Sequence, residues 1–147
     1  MIRDGLALCG LTLIAGAASA QPQMRLSANP SAIVAAEIAF NRLAQEKGQW
    51  TAFRETAAKD AVMFVPDMVN AQKWLKGRKD PPASVKWQPA KIFVSCDGEV
   101  GASTGAWQRP DGSVGYFTTI WQRDKKGRWN WLLDHGDTLA TPRAEQE

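Results

Sequence analysis

A chain of 147 residues, 44% hydrophobic with a mean hydropathy of -0.33, has the apolar content of one soluble domain with a single core. Its net charge of +3 is scattered except at Lys73, Lys76, Arg78 and Lys79, a cluster that reads as a solvated loop, with phosphate contact as the alternative; no motif supports nucleic-acid binding. One histidine and no cysteine cluster leave too few soft ligands for a metal site, and no cofactor is expected.

The first residues differ from the rest. After Arg3, Leu6 to Ala17 is an almost unbroken apolar run, too short to span a bilayer comfortably, and Ala18-Ser19-Ala20 before Gln21 fits a small-x-small cleavage site. The pattern predicts a signal peptide over residues 1–20, with a retained anchor helix as the alternative. Export, to the periplasm, follows from it, with no membrane attachment after cleavage. Cys9 follows Leu8, where a lipidated cysteine would need a small residue, so lipidation is not expected. Cleavage would leave Cys96 alone, unable to form an intrachain disulfide and expected to be buried and inert.

A polar leader over residues 21–30 brings the chain to Asn29-Pro30, a cap followed by proline at the first helical position. Ile33, Ala36, Phe40, Leu43 and Ala44 recur at helical spacing, and Gly48 ends that helix. A second helix is predicted from Gln49 to about Lys59, then a short strand over Ala61 to Val65 closed by Pro66-Asp67. Asn70 caps a brief third helix, Ala71 to Lys76, and Asp80-Pro81-Pro82 marks a loop.

From Val85 to Asp137 three turn signals, Asp97-Gly98, Pro110-Asp111-Gly112 and Asp124 to Gly127, cut the chain into four strands of an antiparallel meander. Pro89 places the first of them at an edge or at a bulge. Gly101, Gly105 and Gly115 are positions where long strands could bend. Residues 138–147 read as a flexible tail. The fold class is α+β: a curved antiparallel sheet wrapped around N-terminal helices.

This α-α-β-α-β-β-β-β order, over residues 31–137, resembles the nuclear transport factor 2-like superfamily of cystatin-like cones, with its SnoaL-like and ketosteroid isomerase-like members. Gly101-Ala102-Ser103-Thr104-Gly105-Ala106-Trp107 and Trp129-Asn130-Trp131-Leu132-Leu133-Asp134-His135-Gly136 resemble strands of a domain-of-unknown-function branch. The resemblance implies a conical pocket open at one end and a homodimer formed through the outer sheet face. Some relatives are isomerases, dehydratases or cyclases and many only bind, so the fold does not choose.

Strand alternation sorts the candidate residues. In the last strand Trp129, Trp131, Leu133 and His135 share the more apolar face, which places His135 inward near the mouth of the cone. Phe117, Thr119 and Trp121 oppose Tyr116, Thr118 and Ile120, and Trp107 and Arg109 share parity with Ser103. His135 is the candidate general base, a structural histidine being the alternative, and Asp67 is a second candidate. Trp107, Trp121, Trp131 and Tyr116 are candidate ligand contacts among seven tryptophans and one tyrosine. Arg109 is a candidate clamp for a ligand carboxylate, with a solvated turn tip as the alternative. Three functions fit: a binding module for a small apolar or aromatic molecule, an isomerase, dehydratase or cyclase using His135 or Asp67, and a dimeric scaffold with a filled cone.

Overall fold

Residues 29–139 are described by a computed structural model; the predicted signal peptide and most of the leader and tail lie outside them. The first helix, α1, spans Pro30–Lys47. Asn29 caps it by accepting from the Ser31 backbone N–H at 3.0 Å. Its buried stripe is Ile33, Glu37, Phe40 and Ala44, so an acid occupies a position of the apolar face.

Helix α2 covers Gln49–Thr56 and follows Gly48 without a side-chain cap of its own. Asp80, from a distant loop, serves that end instead. Its carboxylate accepts from the Thr51 backbone N–H at 2.9 Å and from the Thr51 hydroxyl at 2.6 Å.

Strand β1 runs Ala57–Phe64 and turns at a cis Val65–Pro66 bond into a short β2, Met68–Asn70. The predicted second helix therefore ends three residues early, because Ala57 already joins a ladder with Trp131. Cross-strand pairing overrides the helical preference of Ala57 and Ala58. Helix α3, Ala71–Leu75, starts where Asn70 accepts from the Lys73 backbone N–H.

The meander follows as β3 (Lys86–Val94), β4 (Val100–Gln108), β5 (Val114–Arg123) and β6 (Trp129–Thr138). The sheet order is β2-β1-β6-β5-β4-β3, antiparallel throughout except for the parallel β1–β6 pair. The hairpin glycines Gly98, Gly112 and Gly127 have φ of 76°, 87° and 80°, as the turn signals require. β3 is the edge strand, and its register slips between Pro89 and Lys91. Both readings of Pro89 hold at once. Gly105 faces this slip, where a Cβ would come within 1.9 Å of the Gln88 carbonyl oxygen.

The core lies between the helices and one face of the sheet. Phe40, Trp121, Trp131, Ile33 and Leu75 are among its largest fully buried side chains. Phe40 stacks tilted or edge-on against Phe53, Trp87 and Trp121, with centroids 4.8, 4.8 and 6.0 Å away. These geometries suit the ring quadrupoles and fix the wall on which a pocket can form. Cys96, expected to be buried, is exposed at the β3–β4 turn. A tight turn has no interior for it.

A second register shift decides the site. Trp121 pairs with Trp131, but the neighbouring Ile120 pairs with Leu133, leaving Leu132 as the extra residue of a β-bulge. Beyond it the parity of β6 inverts. Asp134 is opposite Thr119 and Gly136 is opposite Phe117, on the inner face, while His135 is opposite Thr118 on the outer one.

Candidate functional site

The concave face of the sheet and the start of α2 enclose a cavity of about 180 Å³, open at one side. Seven aromatic side chains dominate its lining: Phe40, Trp50, Phe53, Phe64, Trp87, Trp107 and Phe117. Trp87 donates its indole N–H to Glu37 at 2.6 Å and Trp107 donates to the Tyr116 carbonyl at 2.8 Å. Those two tryptophans thus present hydrocarbon rather than donors to the cavity.

Gln49, Arg109 and Asp134 are the side chains of the lining that carry charge or an amide. The Gln49 carbonyl oxygen is occupied by the Val85 backbone N–H at 3.2 Å. Arg109 is exposed at the mouth, its guanidinium 4.4 Å from the Trp107 ring centroid. Asp134 belongs to the inner surface. One of its oxygens accepts from the Thr119 hydroxyl at 2.9 Å, and among the described residues no cation pairs with it. It keeps partial exposure because it opens onto the cavity. Burial pushes its pKa up to about 7, the Thr119 hydrogen bond opposes the shift, and the nearby Glu37 adds to it.

Glu37 sits behind this wall. It is fully buried and accepts from the indoles of Trp87 and Trp121, at 2.6 and 3.1 Å, and from the Ser103 hydroxyl. Ser103 in turn accepts from the Trp121 indole at 2.9 Å. Burial raises the Glu37 pKa, and the three donors act in the other direction.

The expected site residues separate into groups. Trp107 and Arg109 lie in the cavity lining. Trp121 and Trp131 point inward but are core: the first serves Glu37, the second donates to the Phe53 carbonyl and the Thr56 hydroxyl. Tyr116 lies on the outer face and is 45% exposed. Asp67 is exposed in the turn after β1, outside the lining.

The inward placement of Leu133 and His135 is corrected by the bulge at Leu132. His135 packs edge-on to Phe64 on the outer face, centroids 5.2 Å apart. Asp134 takes the inner position that simple alternation assigned to His135. The adjacent leucines Leu132-Leu133, which break the alternation, were the available signal. For Glu37 the signal was its helical spacing, four after Ile33 and three before Phe40.

No family model matches the chain, and no curated protein matches it. Solved structures do. A protein of Parabacteroides distasonis, provisionally named a ketosteroid isomerase, is similar at a TM-score of 0.60 and 16% identity, over 78% of this chain and 96% of that one. A nuclear transport factor 2-like superfamily protein of Salmonella enterica gives 0.58 and 9%, over 80% and 96%. An NTF2-like protein of unknown function from Shewanella baltica gives 0.54 and 14%, over 76% and 94%. The likeness is one of fold, an α+β architecture shared with these nuclear transport factor 2-like and ketosteroid isomerase-like structures.

A carboxyl that holds its proton more tightly when folded stabilises the protein most below its unfolded pKa of 3.8, and this contribution is lost as pH rises through about 7. Asp134→Asn removes the titration and keeps an acceptor for Thr119. The wild type should lose ~1–3 kcal/mol relative to this variant between about pH 5 and about pH 8, at about 1.4 kcal/mol per unit less the solvation gained from the open cavity. Denaturant titrations of both proteins across that range check it; parallel profiles would remove the burial argument.

Proposed function

We propose that this protein binds a small apolar or aromatic molecule in the cone. The cavity lined by seven aromatic side chains is the observation that carries this reading. Its size narrows the ligand: an apolar cavity of roughly 150 Å³ holds benzene, so about 180 Å³ suits a single ring better than a fused polycycle.

A second reading, proton transfer on such a molecule, is supported by Asp134. An acid titrating near neutrality against an apolar wall can take and return a proton at working pH. Asp134 replaces His135 and Asp67 as the favoured group because it opens onto the cavity.

Export is proposed from the pattern in residues 1–20. A mature N-terminus at Gln21 in protein recovered from the periplasm is the expected outcome, and an intact leader there would defeat it. Assembly as a homodimer is proposed from the outer sheet face, where Phe93 and Tyr116 are 61% and 45% exposed. Sedimentation should give a dimer that Tyr116→Asp weakens at least tenfold; a wild-type monomer at high concentration would count against it.

The binding reading is tested by a ligand screen on the mature protein that follows tryptophan fluorescence. Single-ring compounds should perturb it saturably, and Trp107→Leu should weaken them about tenfold. If a compound is turned over, Asp134→Asn should abolish turnover while neutral compounds still bind. If nothing perturbs the tryptophans, the filled-cone scaffold becomes the better account.

A further inference from the structure

The cavity floor carries an electrostatic imbalance that the apolar reading leaves unused. Asp134 has two carboxyl oxygens, of which the Thr119 hydroxyl occupies one, and its side chain opens onto the cavity. A buried carboxylate needs a proton or a cation. The charged and titratable groups around it come from three elements. Glu37 of α1 lies behind the wall and has the same sign. On β6, His135 and Asp137 are opposite Thr118 and Tyr116, both on the outer face. Arg109, after β4, is the cation of the lining, and it stands at the exposed mouth over Trp107.

An aromatic face is the negative pole of its quadrupole and attracts an ammonium group, more strongly where water is excluded. Asp134, when ionised, therefore gives the inner end of the cavity a negative sign. An anionic ligand is disfavoured there and would find its partner only at the mouth.

We infer that the cavity is a site for a single-ring organic amine, its ammonium group paired with the Asp134 carboxylate and its ring held among Trp50, Phe53, Trp87 and Trp107. The inference rests on the binding reading above and specifies its ligand class. It also fixes a pH sign. Raising the pH from about 6 to about 8.5 ionises Asp134 while a primary alkylamine stays protonated, so affinity rises. A neutral ligand that accepts a hydrogen bond from the protonated acid would follow the opposite course.

The experiment is calorimetric titration of the full mature protein with benzylamine, benzyl alcohol and benzoate, at about pH 6 and about pH 8.5. Benzylamine should bind about tenfold tighter than the alcohol at the higher pH and lose most of that advantage at the lower. Asp134→Asn should erase the preference, and Arg109→Gln, which leaves the floor intact, should preserve it. Equal affinity for amine and alcohol at the higher pH, or a preference that survives Asp134→Asn, overturns the inference and leaves the binding reading standing. Tightest binding of benzoate also overturns it and moves recognition to Arg109. Failure of all three to bind, in a folded protein, overturns both.

Discussion

The buried carboxyl of Glu37 holds α1 to the sheet. It accepts from Trp87 on β3, Ser103 on β4 and Trp121 on β5, which lie 50, 66 and 84 residues further along the chain. Without it Trp87 and Ser103 would lose the acceptor for their buried donors, at ~1–3 kcal/mol each, while the Trp121 indole would keep the Ser103 hydroxyl. An apolar stripe of Ile33, Phe40 and Ala44 tolerates small rotations of a helix against a sheet. A carboxyl that must reach two indoles and a hydroxyl does not, so the acid selects one register where hydrophobic burial alone permits several. Gly101 belongs to the same fit, since a Cβ there would come within 1.8 Å of the Ile33 side chain.

That register places the pocket. With α1 fixed, Phe40 stands against Phe53 and Trp87, and α2 crosses above them. Asp80 closes the free end of α2 through Thr51, which keeps Trp50 at the rim, edge-on to Phe53 and Trp74. The basic cluster beside it is exposed, and Arg78 spends its guanidinium on the Trp74 ring, 3.4 Å from the centroid. The aromatic wall is thus held by polar contacts outside the cavity, and the inside is left smooth.

Much of this architecture was legible in the chain itself. Asp-Gly turns, the Asn29-Pro30 cap and the edge proline each act within a few residues, and local rules read them correctly. What eluded those rules were features set by distant partners. The short β2 and the early start of β1 depend on ladders that no window contains. Glu37 falls on the buried stripe by its spacing, but its three donors come from strands that no local window contains. The β6 bulge carried the largest consequence: one unpaired leucine exchanged Asp134 for His135 on the inner face, and with it the chemistry of the cavity.

Why an acid should stand at that position follows from how the other polar groups are used. Trp87, Trp107, Trp121 and Trp131 all donate their indole N–H groups to the protein, and Gln49 gives its carbonyl oxygen to the backbone. The cavity is left with rings, the Gln49 amide N–H group, a mouth cation and the Asp134 carboxyl. Glu37 cannot relieve that carboxyl, because its own three donors are needed to hold the helix and its charge has the same sign. The two acids are therefore coupled but divided in role: one is closed off and fixes the fold, and the other keeps access to whatever enters. Chemical selectivity at the inner end of such a cavity follows the state of the Asp134 proton, since the same group repels an anion when charged and donates a hydrogen bond when neutral.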